Sequence, residues 1–290
     1  MKKTILFGAS DCCRRWLQYS SDNYNVIGIA DNDCRKVNTS LFGHNIIDPK
    51  LISEYDFDVI LITLDDWAEN GIENITSIYN QLLSMGIEDK KIELQHIEYL
   101  PDNSRILFLR HLSDEFSRYN IIGAVAECGV FRGAFAGYMN EYFPDRTLYL
   151  FDTFEGFIKS DMLAESTAEA KQWLERDREV LSTGNEFIVR LRCANRSNVV
   201  IRKGAVPDSL QGLESETFSF VNLDMDLHVP QLTALRFFAP RMTRGGVILL
   251  HDYFWKWTPG VRQAVDDFTA EFNFTRLPIG DNSSIALLIR

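Results

Sequence analysis

The sequence predicts an α/β protein: a doubly wound, mainly parallel sheet closed by an antiparallel C-terminal hairpin, preceded by a smaller α/β domain. Three observations predict it. Short apolar runs alternate with helical stripes twice along the 290 residues, first over 1–100 and again over 124–290. Alternation of this kind builds parallel sheets whose faces are covered by helices. The last two apolar runs, "FTRLP" and "IALLIR", are joined by the turn sequence "IGDNSS", a hairpin signal. A chain of this length buries a substantial core and suits two domains.

In order, "TILFG" reads as a first strand, Cys12 to Tyr19 as a helix and "NVIGIAD" as a second strand. "FGHNII" fits a short edge strand and "FDVILIT" a third buried one. Ile72 to Met85 carries apolar residues at Ile72, Ile75, Ile78, Tyr79, Leu82 and Leu83, the spacing of a helical stripe, with Gly86 as its stop. "PDNSRILFLRHL" looks like a linker entering a helix, so 101–123 is set apart as linker and helix. The second alternation has strands at "GAVAECG", "TLYLFD", "NVVIRKG", "FSFVNLDMD" and "GGVILLHD". A helix begins near Pro259, with apolar positions Val261, Ala264, Val265, Phe268 and Phe272.

Apolar residues at 46% and charged residues at 24% are ordinary for a soluble globular protein. The formal net charge of −11 argues against nonspecific nucleic-acid binding, which needs a basic face. No apolar run approaches the roughly 20 residues that span a bilayer, and the run in "MKKTILFGAS" breaks at Gly8, as a strand rather than a signal peptide would. Five cysteines without framework spacing suit a reducing cytoplasm, most of them as small buried hydrophobes. No nucleic-acid and no membrane partner is expected, and whether the chain forms a homo-oligomer is left open.

Two glycine turns compete as the cofactor site. The second, Glu127-Cys128-Gly129-Val130-Phe131-Arg132-Gly133, lies between a strand and a helix. Glycine there lets backbone approach a ligand, and a helix N-terminus offers free N–H groups. The next strand ends in Asp152, about twenty residues on, where an acidic side chain accepts from ribose hydroxyls. Alternatively, Gly129 and Gly133 only permit tight strand–helix packing. The first turn keeps Gly8 but lacks the glycines two and five positions later, and Asp11 would repel a pyrophosphate. Asp31 and Asp33 end its second strand, so a nucleoside without phosphates remains open there.

An acidic cluster follows the later strands. "VNLDMDLH" places Asp224 and Asp226 past a buried strand, with His228 nearby; "GGVILLHDYFW" places His251 and Asp252 at the end of the next. Carboxyl ends of neighbouring strands face one crevice, so these groups converge. Carboxylates suit Mg²⁺ or Mn²⁺, and imidazole tilts preference toward a transition metal. Such a cation lowers the pKa of a bound hydroxyl, and Asp226 or His228 could then take its proton. The plainer reading is helix capping and a hydrogen-bonded core histidine.

"AECGVFRGAF", "RTLYLFDTFEGF", "KGAVPDSL", "LDMDLHVPQLTALRFFAPRMTRGGVILLHDY" and "GVRQAVDDF" together resemble the macrocin-type O-methyltransferases of antibiotic sugar tailoring. The resemblance implies a class I methyltransferase doubly wound sheet that binds S-adenosylmethionine and methylates a sugar hydroxyl with Mg²⁺ or another divalent cation. By that resemblance Glu127, Gly129 and Gly133 form the cofactor loop, Asp152 holds the ribose, and Lys203, Gly204 and Ala205 border the adenine. Asp224, His251 and Asp252 become metal ligands and Asp226 the general base. The family's second ligand pair is usually two aspartates; His251-Asp252 departs from it, and a metal-free variant with His251 as base is the alternative. Phe157 to Cys193 falls where the family carries a helical lid, and Trp255 and Trp257 are placed as an apolar wall against a sugar face. Residues 1–100 resemble the small Rossmann-like domain fused to polysaccharide and nucleotide-sugar enzymes. The rival functional reading is a non-catalytic module that binds S-adenosylmethionine or a nucleotide-sugar and regulates a biosynthetic complex.

Overall fold

In the computed structural model, which describes residues 1–19, 24–95, 103–165, 167–272 and 274–289, the chain divides into units Met1–Asp102 and Asn103–Arg290. Pro101 and Asp102 of the expected linker lie outside the described residues.

The first unit holds β1 (Lys2–Phe7), α1 (Asp11–Tyr19), β2 (Tyr24–Ala30), β3 (Ser40–Leu41), β4 (His44–Ile47), β5 (Val59–Ile62), α2 (Gly71–Ser84) and β6 (Ile92–Leu94). Its sheet runs β3-β4-β2-β1-β5-β6. All four residues of β5 are buried, as a central strand covered on both faces requires. The "FGHNII" stretch forms an edge hairpin, with Phe42 and Gly43 at positive φ in its turn. The three-residue β6 has no counterpart in the sequence reading, because a run of three carries no resolvable period.

The second unit begins with α3 (Ser104–Arg118), whose Asn103 side chain accepts from the N–H groups of Arg105 and Ile106 and so caps the helix. It continues with β7 (Ala124–Cys128), α4 (Ala134–Tyr142), β8 (Leu148–Asp152), α5 (Lys159–Ala164), α6 (Ala168–Leu181), α7 (Glu186–Arg192) and β9 (Val199–Lys203). Then come β10 (Phe218–Leu223), α8 (His228–Phe238), β11 (Met242–Leu250), α9 (Pro259–Glu271), β12 (Thr275–Pro278) and β13 (Ile285–Leu288). The strand order is β12-β13-β11-β10-β7-β8-β9, with β13 antiparallel to both β11 and β12. The hairpin is therefore present, and its second strand inserts next to β11.

The core of this unit joins the central strand β10 to helices α8 and α9: Val221 and Leu223 with Ala234, Leu235, Phe238, Val265 and Phe268. Burying apolar surface at roughly 25 cal/mol per Å² makes this the main stabilising contribution. The strands run parallel from β11 through β9, so the carboxyl ends of β7, β8, β9, β10 and β11 form one edge. Glu127, Gly129, Asp152, Lys203, Gly204, Asp224, Asp226, His251 and Asp252 lie at or just beyond that edge.

Candidate active site

At the β7 turn, Glu127 is 2% exposed, and its Oε1 accepts from Asn222 Nδ2 at 2.9 Å across the β7–β10 register. Its Oε2 is buried without a hydrogen-bond partner among the described residues. Burial pushes the Glu127 carboxyl up to about 8, against the opposing pull of Arg105.

The glycines of this turn are explained by the chain itself. Gly129 has φ +87°, and a Cβ there would lie 1.8 Å from the Asp224 carbonyl oxygen. Gly133 has φ +76°, and its Cβ would press 3.0 Å from Val189 Cα in α7. What approaches these backbones is the end of β10 and a neighbouring helix, the packing alternative of the sequence reading.

Asp152, at the end of β8, straps the same turn. Its Oδ2 accepts from Val130 N and Phe131 N, each at 2.7 Å, and its Oδ1 from Phe154 N at 2.7 Å. One lone-pair direction of Oδ1 is left for a ligand hydroxyl. Lys203 pairs with Asp152 in register, and Gly204 N donates to the Asp152 carbonyl at 2.9 Å. Lys203, Gly204 and Ala205 thus border Asp152, with Lys203 Nζ held 2.9 Å from Glu155 Oε1.

The acidic residues converge as expected. His251 Nδ1 lies 3.0 Å from Asp224 Oδ1 and 3.0 Å from Asp252 Oδ2. One ligand atom from each of these three residues falls within 4.8 Å of the others. Asp226 belongs to the same cluster and feels the charges of Asp252 and Asp224. Asp226 and Asp252 sit at positive φ, 61° and 57°, a conformation costly for a residue with a Cβ, though Asp tolerates it better than most. Ser283 Oγ donates to Asp252 Oδ1 at 2.8 Å and accepts from Asp252 N, so the "IGDNSS" turn positions this carboxylate.

Charge balance follows from these contacts. Burial alone would raise Asp224, but His251 and Arg105 outweigh it and hold the carboxyl below the usual range. Burial disfavours a charged imidazole, yet attraction to Asp224 lifts His251 to about 10. His251 therefore carries its proton at neutral pH. Asp226 moves the other way, raised by burial and by the charges of Asp252 and Asp224.

Two residues that the sequence reading did not single out complete the site. Arg105 in α3 is 7% exposed; its Nη2 lies 3.0 Å from Asn222 Oδ1 and 3.0 Å from Asp224 Oδ2. Its guanidinium stacks 4.2 Å from the Phe135 ring centroid. The available signal was an arginine in phase with the buried Leu109 and Phe116 of the same helix. Asn222 is a polar residue in a strand whose six residues are all buried, another legible signal.

The expected lid segment forms α5, α6 and α7. Leu174 of α6 packs with Met162 and with Leu227, the residue after Asp226, so α6 has a buried face. Glu165 Oε1 accepts from His228 N at 2.7 Å, which ties the segment to the start of α8. His228 itself pairs with Asp267 at 2.8 Å. Trp255 is 47% exposed on the loop after Asp252, and Trp257 stacks under Lys256.

In the first unit, the turn at Gly8 is closed by its own side chains. Asp31 Oδ2 accepts from Ala9 N at 2.7 Å and from Lys36 Nζ at 3.0 Å, while Asp33 pairs with Arg35.

Residues 101–282 match the family model described as macrocin O-methyltransferase (TylF). The chain belongs to the macrocin O-methyltransferase family. Residues 1–93 match a second model, described as C2185-like, N-terminal. This macrocin-family chain is 26% identical over 179 residues to the demethyldecarbamoylnovobiocin O-methyltransferase of Streptomyces niveus, covering 58% of this chain and 66% of that protein. The chain thus spans just under two thirds of that relative's length. The solved structure of the O-methyltransferase NovP superposes with a TM-score of 0.54 at 22% identity, covering 64% of this chain and 79% of that one. The likeness shows the class I methyltransferase fold. No helix among the described residues is long and apolar enough to cross a membrane.

Proposed function

We propose that the chain is an S-adenosylmethionine-dependent O-methyltransferase acting on a sugar hydroxyl of a glycan, nucleotide-sugar or glycosylated small molecule. Unit Asn103–Arg290 carries the chemistry, and the first unit is accessory. The observation that carries this reading is the linked pair of sites along one sheet edge. A buried carboxylate, Glu127, with one oxygen unpartnered among the described residues, lies near the end of β7, and a carboxylate–imidazole cluster lies just past the ends of β10 and β11.

An orphan buried acceptor fits a ligand ammonium, so Glu127 is assigned to the amino-acid end of the cofactor and Asp152 to its ribose. Gly129 and Gly133 shape the loop, and Lys203, Gly204 and Ala205 flank the adenine. Bound there, S-adenosylmethionine supplies a methyl group on a sulfonium. Proximity and orientation then account for much of the acceleration.

Two carboxylates and an imidazole within 4.8 Å fit a divalent cation, and the nitrogen donor favours one such as Mn²⁺ over Mg²⁺. Such a cation favours the alkoxide form of a bound hydroxyl. The chain's own part is a proton position. Asp226 neighbours Asp252 in the cluster and, in its ionised form, receives the acceptor's hydroxyl proton. Exposed Trp255 offers a face for the sugar, and the five free cysteines suit a reducing cytoplasm.

The test is production of S-adenosylhomocysteine from labelled S-adenosylmethionine across a panel of nucleotide-sugars and glycosides. A methylated hydroxyl, lost in Asp226→Asn, is the expected result. Cofactor binding without transfer to any acceptor would favour the regulatory module.

A further inference from the structure

The acidic cluster is not a bare cluster of carboxylates. Asp224, the residue its contacts centre on, spends its two oxygens on two different partners of the chain: Oδ1 on His251 and Oδ2 on the guanidinium of Arg105, each at 3.0 Å. Arg105 comes from α3, which precedes the first strand of this sheet. Its position is over-determined. The guanidinium is buried, stacks on Phe135 and bonds Asn222 with the same nitrogen that bonds Asp224. A guanidinium keeps its charge at every accessible pH, so this counter-charge cannot be titrated away.

We propose that Arg105 is a positioning residue that acts as a built-in counter-cation of the acidic centre, holding Asp224 Oδ2 and weakening the hold of Asp224, His251 and Asp252 on a divalent cation. Two physical consequences follow. A cation entering among these donors meets a fixed positive charge bonded to one of its ligands, in a setting where burial strengthens charge–charge repulsion. The bond also fixes the amide of Asn222. With Oδ1 turned to Arg105, its Nδ2 faces Glu127 at 2.9 Å, so the same guanidinium orders the contact to the cofactor turn. The cation-binding half rests on the metal site assigned above; the orientation of Asn222 does not.

The experiment is Mn²⁺ titration of the full chain followed by electron paramagnetic resonance, for wild type, Arg105→Gln and Arg105→Met, with melting curves to establish folding. Met keeps an apolar stem against Phe135, so either folded variant decides the matter. Removal of the guanidinium is expected to tighten Mn²⁺ binding at least about tenfold, about 1.4 kcal/mol. Asp224→Asn added to the variant should abolish that gain. Arg105→Lys, which keeps the charge, should stay within about threefold of wild type. A gain of affinity is a readout that mere loss of packing does not produce. Unchanged or weaker Mn²⁺ binding in a folded Arg105→Gln or Arg105→Met protein would overturn the proposal. Calorimetry with S-adenosylhomocysteine on the same wild-type sample tests the methyltransferase reading separately. No heat there with a Mn²⁺ gain in the variant would sink that reading and leave the role of Arg105 standing.

Discussion

Asp31 holds in the first unit the place that Asp152 holds in the second. Each carboxylate lies at the end of the second strand of its unit and accepts a backbone N–H from the glycine turn after the first strand, Ala9 N at 2.7 Å and Val130 N at 2.7 Å. In both units this acidic residue therefore straps its own turn. The units differ in what remains. Lys36 also pairs with Asp31, whereas among the described residues Asp152 bonds backbone N–H groups at its carboxylate and keeps acceptor capacity.

Asp152→Ala would leave Val130, Phe131 and Phe154 N–H groups without their acceptor. Each unsatisfied buried donor costs about 1–3 kcal/mol, less where water reaches it. Urea unfolding should show a loss of at least about 2 kcal/mol, with Asp152→Asn intermediate because one oxygen survives. A variant as stable as wild type would show that the strap does not hold the turn.

Gly129→Ala should be among the most damaging single-methyl additions. Its Cβ would meet the Asp224 carbonyl oxygen at 1.8 Å, and the φ of +87° adds backbone strain. Expected destabilisation is about 3 kcal/mol or more, read as a shifted urea midpoint or loss of soluble protein. Gly212→Ala, at φ +83° with open space around its Cβ, is the control and should cost about 1 kcal/mol.

Glu127 gives a proton count. With its pKa raised to about 8, it is mostly protonated at pH 7. Pairing with the cofactor's ammonium ionises it, so binding of S-adenosylhomocysteine should release close to one proton per chain. Calorimetry in buffers of different ionisation enthalpy reads this directly. Glu127→Gln should abolish the release and weaken binding about tenfold.

His251 and Glu127 also set a pH dependence of stability. Both carry folded pKa values above their unfolded ones, so both contribute stability that is lost as pH rises. For His251 the contribution is full below about 6.5 and lost through about 10. For Glu127 it is full below about 4.5 and lost through about 8. Asp224 has the opposite sign, losing its contribution as pH falls through its depressed value. Thermal melts should fall from pH 6.5 to 10 for wild type and fall less for His251→Gln, a difference of roughly 2 kcal/mol after discounting for the exposed part of the ring. Parallel curves for the two proteins would remove His251 as a charged partner of Asp224.

Much of the fold was legible because its strands are short apolar runs between polar turns. "FDVILIT" and "GGVILLHD" announce β5 and β11, and "IGDNSS" announces the hairpin. The acidic residues were legible because strand ends in a parallel sheet share one edge, so Asp224 and His251 meet despite their separation. What stayed hidden were partners set by packing. Arg105 lies far from Asp224 in sequence, and only the docking of α3 brings its guanidinium to that carboxylate. Nor does a glycine announce what it approaches. At Gly129 the neighbour is a carbonyl of the chain itself. The strap formed by Asp152 depends on backbone N–H groups, which carry no residue identity to read.

The most direct measurement is calorimetric titration of S-adenosylmethionine into the full chain, wild type and Glu127→Gln, with folding verified by melting curves. One equivalent bound per chain, with affinity falling in Glu127→Gln, is the predicted result and places the cofactor at the turn after β7. No heat from a folded wild-type protein, or undiminished binding in the folded variant, would contradict that assignment.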